Sequence, residues 1–410
     1  MGIIVQKYGG TSVGDVERIK NVADKVIKTF DQGNDVVVVL SAMSGVTNDL
    51  LRLANEASDN PDKRELDVLL STGEQTTIAL LAMILKSRNY KAVSLVGSQA
   101  DIRTNNISGN ARIMSIGSGS INQLLKDRNI VIVAGFQGYD VAGNITTLGR
   151  GGSDTSAVAI AAAIKADMCE IYTDVDGIYT TDPRICTKAR KLEKISYDEM
   201  LEMSSLGAKV LQIRSVSFAK KYNVPIHVRS SFNEEKGTMV VSEDKGMESI
   251  LVSGVALDRD QARVTIKKVP DIPGISARIF TPLAEGDVSV DMIIQNTRSD
   301  SRTDISFTVT KNDYKKALEI SNRVADEIGA SGVICADQIA KISVIGVGMK
   351  NHSGVAASMF QALADENINI RLIATSEIRI SCMIEEKYAE LAVRVLHDTF
   401  NLDKNEAIQS

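Results

Sequence analysis

The sequence predicts an α/β chain in two parts: a mainly parallel sheet in an αβα sandwich, then two copies of one smaller unit. Three observations predict it. Through about residue 245, short β-branched apolar runs alternate with helical patterns. Near-continuous apolar strands between helices are strands buried on both faces. From residue 250 to 402 the pattern repeats itself. The length, 410 residues, asks for two or three domains rather than one.

In chain order the first part reads as the strand IIVQKY, a helix through Val16–Phe30, the strand DVVVVLSAM and a helix around Glu65–Ser87. Then come KAVSLVG, a helix near Ser118–Arg128, IVIVAGF, a helix over Ala157–Lys165, CEIYTDV and VPIHVRS. Sheets of this kind place their sites beyond the carboxyl ends of the strands. In the second part Gly274 matches Gly354 at an offset of 80 residues. The same offset pairs Ala277 with Ala357, Phe280 with Phe360, Leu283 with Leu363, Val290 with Ile370 and Ile293 with Ile373. A second block, at offset 75, pairs Ile305 with Ile380 and Ser306 with Ser381. Each unit reads β-α-β-β-α, the core of a ferredoxin-like module. The first closes with SGVICAD; the second runs out into polar NLDKNEAIQS. The spare strand SILVSGVAL, Ser249–Leu257, is expected to complete the second module. The expected domains are therefore 1–245, a module at 264–338, and a second module from 249–263 plus 339–402 that encloses the first.

Composition excludes several classes. Net charge is −5, there is no basic block, and 8 Phe and 9 Tyr are accompanied by no Trp. Nucleic-acid binding has little support. The longest apolar runs, such as Val36–Leu40 and Ala157–Ile164, are too short to span a bilayer, and the N-terminus has no signal-peptide pattern. The four cysteines are scattered without a CxxC, which fits reduced thiols and a cytoplasmic setting. The three histidines lack metal-ligand spacing.

Unusual residues gather at strand ends. VQKYGGTSVGD carries Lys7, Gly9, Gly10, Thr11 and Ser12 between a strand and a helix. This is either a tight turn capped by Ser12 or a phosphate cradle of backbone N–H groups with Lys7 as a point charge. Its spacing is not that of a Walker A loop. VVVVLSAMSGVTNDL brings Ser41, Ser44, Gly45 and Thr47 into a helix. LLSTGEQTTIALLAMIL places Glu74 at a helix start, where the dipole favours a carboxylate and where it could equally grip an amine. In TTLGRGGSDTS, Ser153 or Asp154 can cap the following helix. Arg150 between glycines adds a bidentate fork suited to a carboxylate or phosphate. EIYTDVDGIYTTDPR can be a hairpin turned at Asp-Gly and Asp-Pro, which leaves Tyr179 and Arg184 without a role. SLGAKVLQIRS puts Lys209 at a helix start.

The motifs KYGGTS, SAMSGVT, STGEQ, TTLGRGGSDT, YTDVDGIYTTDPR and GAKVLQIRS, in this order, resemble those of the bacterial aspartokinases over essentially the full length. These are amino-acid kinases with two ACT modules behind the catalytic domain. The resemblance implies ATP-dependent phosphorylation of the β-carboxylate of L-aspartate to 4-phospho-L-aspartate, the first step toward lysine, threonine and methionine. Such an acceptor has a pKa of about 4 and needs no general base, in keeping with motifs that contain no histidine. The resemblance makes Lys7 and Asp154 catalytic, Lys7 bridging the transferring phosphate and Asp154 holding Lys7. It gives Thr47, Glu74, Phe136, Arg150, Gly151, Gly152 and Ser153 to aspartate. It gives Lys7, Tyr8, Gly9, Gly10, Ser41, Thr173, Asp174, Tyr179, Asp182, Arg184, Lys209 and Val210 to ATP, with Mg²⁺ carried mainly by the nucleotide rather than by protein side chains. Lysine, threonine or both would bind the ACT modules as feedback inhibitors. The expected positions are Asp271, Gly274, Ile275, Ser276, Ala277, Asp291, Gln295 and Asn296, and in the second repeat His352, Val355, Asn369, Ser376 and Glu377. Paired ACT modules imply a homo-oligomer. Two alternatives stay open: another amino-acid or nucleotide kinase of the same fold, and a catalytically silent amino-acid sensor.

Overall fold

The computed structural model describes residues 2–206, 210–244, 247, 250–297 and 302–404. They divide into two compact units. The first is Met1–Tyr179, Lys191–Ser205 and Lys209–Glu248; the second is Thr180–Arg190, Leu206–Ala208 and Ser249–Ser410.

An eight-stranded sheet organises the first unit, in the order Lys194–Ser196, Thr238–Val241, Ile226–Ser230, Met168–Thr173, Ile3–Tyr8, Asp35–Leu40, Ile130–Ala134, Ala92–Leu95. All neighbours are parallel except the pair Ile226–Ser230 and Thr238–Val241. Two-sided burial shows in the strands themselves, since every residue of Ile130–Ala134 is buried. Tyr8, Val38, Leu40, Ile132, Ile78, Leu81 and Leu85 meet in one apolar cluster on one face of this sheet. The last three come from Lys63–Ser87, a helix whose length and composition would suffice to cross a membrane. Polar Ser71, Thr72, Glu74, Thr76 and Thr77 interrupt its apolar runs, and its apolar face lies in the core.

Several boundaries differ from expectation for local reasons. Asp15, not Ser12, caps Val16–Asp31, its side chain accepting from the Arg18 N–H. Glu74 lies twelve residues into its helix rather than at its start, out of reach of the dipole. The helix after Arg150 spans Gly152–Ile164, so Ser153 and Asp154 sit in its first turn and left-handed Gly151 stands at the cap without a side-chain bond. No hairpin forms at Asp176-Gly177. Tyr179 makes only an isolated bridge to Lys191, while the Tyr179 hydroxyl and the Lys191 ammonium both bond to Asp176. A four-stranded sheet of Ile113–Ile116, Ile102–Thr104, Gln137–Tyr139 and Ile145–Thr147 is an addition that periodicity did not signal. Strands of three or four residues show no readable period.

The second unit holds one six-stranded antiparallel sheet. Its order is Val290–Thr297, Arg302–Val309, Gly254–Pro270, Gly332–Ile345, Arg379–Glu385, Leu372–Thr375. The two central strands are 17 and 14 residues long and serve both repeats. Gly254–Leu257 pairs with Ile345–Ile342 beside the second repeat; Arg263–Lys267 pairs with Ala336–Gly332 beside the first. The spare strand is thus the first stretch of a longer strand rather than a separate element, and register shifts at Asp258–Gln261 and Gln261–Arg263 mark the passage between repeats. Helices Ile275–Glu285 and Tyr314–Glu327 cover the first core, with Ile279, Leu283, Phe307 and Val324. Helices Val355–Asp365 and Ala389–Thr399 cover the second, with Met359, Leu363, Cys382 and Leu396. The repeat is legible in detail. Gly274 and Gly354 both start their helices with positive φ, 87° and 117°. Ser306 and Ser381 each share a hydrogen bond with a hydroxyl on the neighbouring strand, Thr265 and Ser343.

Thr180–Arg190 groups with the second unit although it stands inside 1–245. Its Cys186 is part of the second repeat's apolar cluster, Thr180 O accepts from the Val255 N–H, and Lys188 pairs with Asp398 at 2.8 Å.

Candidate active site

The penultimate residue of the central strand Ile3–Tyr8 is Lys7, whose ammonium lies 2.6 Å from the Asp154 carboxylate. Both are almost fully buried, at 9% and 7% exposure. Asp154 is brought there by the first turn of Gly152–Ile164. Around the pair opens a cavity of about 390 Å³. Of the expected residues it gathers Lys7, Gly10, Ser41, Thr47, Glu74, Phe136, Arg150, Gly151, Gly152, Ser153 and Asp154. It also takes in Ala42, Met43, Ser44, Gly45, Gly149 and Gln212. The first five of these lie inside the motifs quoted above. Gln212 belongs to GAKVLQIRS, but nothing in its residue type marked it.

Glu74 is the most informative wall. One carboxylate oxygen accepts from the Ala42 N–H at 3.0 Å; the other, buried, has no partner among the described residues. Burial pushes this carboxyl up from 4.5 to about 7. Opposite in character, Arg150 is exposed on its glycine-flanked loop and has no ion-pair partner among the described residues. Phe136 holds a positive φ of 67°, fixed by its N–H to Ser156 Oγ and its carbonyl to the Leu148 N–H. Such a conformation in a bulky residue is strain that the surroundings must hold in place. Thr47 enters from the first turn of Val46–Ala57, which follows left-handed Gly45.

A buried cation, a carboxylate with one oxygen unpartnered and a guanidinium without an ion-pair partner among the described residues thus line the same space, beside backbone N–H groups of the Gly10–Val13 turn and the Gly152 helix start. That set fits a zwitterion bearing a further anionic group next to a polyanion.

The family model described as Amino acid kinase family matches residues 2–230, and the one described as ACT domain matches 267–323 and 342–400. The aspartate kinase of Pseudomonas putida is 56% identical over 404 residues, 98% of either chain. The chain belongs to the aspartokinase family. Among solved aspartokinases, E. coli aspartokinase III in complex with aspartate and ADP (R-state) is 28% identical, with a TM-score of 0.78 over 97% of this chain and 99% of that one. The same protein in complex with lysine and aspartate (T-state) has a TM-score of 0.76 at 28% identity, with the same coverage.

The residues that the aspartokinase resemblance gives to ATP are less gathered. Gly9 adjoins Lys7, and its N–H bonds to Tyr172 O. Tyr8 is not a wall of the cavity, because its ring is fully buried and stacks on Tyr172 at 4.5 Å. Thr173 donates to Asp174 at the end of the next strand, and Val210 is half-buried. Asp182 and Arg184 lie in the second unit and pair with each other at 2.7 Å. Lys209 lies outside the described residues.

On the ACT side, Asp271, Gly274, Ser276 and Ala277 are exposed at the first turn, whereas the Ile275 side chain is buried in the module core. Asp291 forms an ion pair with Lys341, whose side chain is 4% exposed, and Gln295 is exposed on the edge strand. The Asn296 side chain lies outside the described residues. In the second repeat Val355 is buried in the core, His352 bonds through Nδ1 to Gly348 O, and Asn369, Ser376 and Glu377 are exposed.

Proposed function

We propose that the cavity around Lys7 is the acceptor site of the aspartokinase reaction. The chain phosphorylates the β-carboxylate of L-aspartate with ATP, giving 4-phospho-L-aspartate and ADP. The observation that carries this reading is the Glu74 oxygen, buried and unpartnered in the cavity that also holds Arg150 and the Lys7–Asp154 pair. Glu74 takes the substrate ammonium, Arg150 and Ser153 take a carboxylate, and Thr47 and Phe136 close the sides. The β-carboxylate is then left to face Lys7.

A carboxylate oxygen attacks the γ-phosphorus, the bond to the β–γ bridging oxygen breaks, and ADP leaves with that electron pair. No proton has to be removed, so positioning and charge neutralisation supply the rate. The Lys7 ammonium meets the developing charge, and Asp154 fixes its direction. Gly9, Gly10 and the Gly10–Val13 turn are proposed to hold phosphate oxygens, with Ser41, Thr173, Asp174 and Tyr179 around the nucleotide. No group of three or more His, Cys, Asp or Glu side chains among the described residues could hold a metal. Mg²⁺ is proposed to arrive on the triphosphate as part of the nucleotide substrate.

The ACT modules, at 264–338 and at 249–263 plus 339–402, are proposed to bind lysine, threonine or both and to join copies of the chain, and the enzyme to work in the cytoplasm. The test is an assay with ATP, Mg²⁺, aspartate and hydroxylamine, which traps an acyl phosphate as its hydroxamate. Aspartyl hydroxamate is expected, decreasing when lysine, threonine or the two together are added. Its absence would refute the reading.

A further inference from the structure

We infer that Arg214 is a positioning residue for the acceptor: its guanidinium clamps the loop that presents Arg150. Arg214 is the second residue of the helix Ile213–Tyr222. It donates through Nη1 to Leu148 O at 2.5 Å and to Asn110 Oδ1 at 3.4 Å, and through Nη2 to Ala111 O at 2.9 Å. No carboxylate pairs with it among the described residues, and its strong partners are two backbone carbonyls. Burial, with Arg112 nearby, holds this guanidinium below its ordinary range. A half-buried cation kept on carbonyls alone is a costly way to add stability. It is an effective way to fix backbone, because a planar fork specifies direction as well as distance.

The backbone it fixes is the approach to Arg150. Leu148 is held on its other side by its N–H to Phe136 O at 2.8 Å. Immediately after it, Gly149 and Gly151 flank Arg150, both at φ 72°. Only glycine takes that conformation at no cost, and a Cβ would be crowded at Gly149 and has no room at Gly151. At Gly149 it would meet Gly109 O at 3.1 Å, and at Gly151 it would overlap Gln212 Cγ at 2.0 Å. Gln212, a wall of the cavity, stands two residues before Arg214. One short segment therefore grips the loop twice, at Leu148 through Arg214 and at Gly151 through Gln212. Arg150 lies between the two grips, with no ion-pair partner among the described residues to orient it.

This rests on Arg150 binding an acceptor carboxylate. A loosened loop then weakens acceptor binding and leaves the nucleotide, held by other turns, unaffected. For Arg214→Ala the KM for aspartate should rise about 10- to 100-fold, the effect of a misplaced binding group, with the KM for ATP within about twofold. Millimolar guanidinium should restore part of the loss, since it can refill the fork. Arg214→Lys keeps the charge but not the fork, folds without the cavity that Ala leaves, and should show the same aspartate-selective rise. Arg150→Gln is measured alongside. If Arg150→Gln raises the KM for aspartate and the Arg214 variants do not, or if they raise both KM values alike, the clamp is refuted. If Arg150→Gln leaves the KM for aspartate unchanged, the acceptor reading itself fails.

Discussion

Glu74 couples pH to stability and to substrate binding in opposite directions. Its carboxyl is lifted by burial from 4.5 to about 7. Between those values the folded protein keeps a proton that the unfolded chain has released. The stabilising contribution is therefore complete below about 4.5 and is lost as pH rises through about 7. Binding runs the other way, because only the ionised group attracts an ammonium. The KM for aspartate should fall as pH rises from 6 to 8, and Glu74→Gln should flatten that dependence while raising the KM about 10-fold or more at pH 8. Steady-state rates over that pH range check both, and an unchanged pH slope in Glu74→Gln would remove Glu74 from the ammonium site. Lys7 asks for a double variant. Lys7→Ala should lower turnover about 10²- to 10³-fold, and by stranding buried Asp154 it should also cost about 3 kcal/mol of stability. Adding Asp154→Asn should recover the stability and none of the turnover. Thermal melts and kcat, measured together, separate the two roles; recovery of turnover would show that Lys7 serves the fold alone. Lys7, Glu74 and Asp154 each had a turn, dipole or cap reading of their own, and were marked in the sequence by the resemblance of the motifs that hold them. The roles of Gln212 and Arg214 were not legible there, since they come from packing against Gly151 and Leu148 rather than from their own chemistry.

At the scale of elements, the site is built where helix Lys63–Ser87 passes the loop after Asp35–Leu40. Periodicity located that helix to within two residues. It could not place Glu74 in its fourth turn beside Ala42, because that depends on how closely helix and loop approach. Gly73 sets this approach: a Cβ there would lie 2.7 Å from the Ala42 Cβ and 3.5 Å from Val46 Cγ1. Gly73→Ala gains about 1 kcal/mol of helix propensity and loses about 1–3 kcal/mol to overpacking, so the melting point should move little. Ala42 has to shift, however, and its N–H is the bond that orients Glu74. The expected result is a KM for aspartate raised about fivefold or more at nearly unchanged stability. A large drop in stability with an unchanged KM would mean that the loop does not yield. The same limit explains the segment Thr180–Arg190. Its turn residues were visible, but its allegiance to the second unit is decided by where Cys186 packs.

Over the whole molecule, the second unit shows how the repeat constrains cooperativity. The second repeat runs out into a polar stretch in the sequence, and Gly254–Leu257 pairs beside that repeat. What could not be read was that this strand and the next run on unbroken through both repeats, since a register shift leaves no mark in composition. Because Gly254–Pro270 and Gly332–Ile345 belong to both cores, neither repeat can lose its central strands without exposing the other's. Phe307 is fully buried in the first core, and Phe307→Ala should cost about 3–5 kcal/mol. If the two repeats are one cooperative unit, that loss reaches the second core as well. Amide exchange should then accelerate at Ile342–Ile345 and Ile380–Ile384 by about the same factor as at Ile305–Val309, since all of them would open through the same global event. Protection lost only around Ile305–Val309, with the second repeat untouched, would show instead that the register shifts at Asp258–Gln261 and Gln261–Arg263 divide the sheet into two independently opening halves.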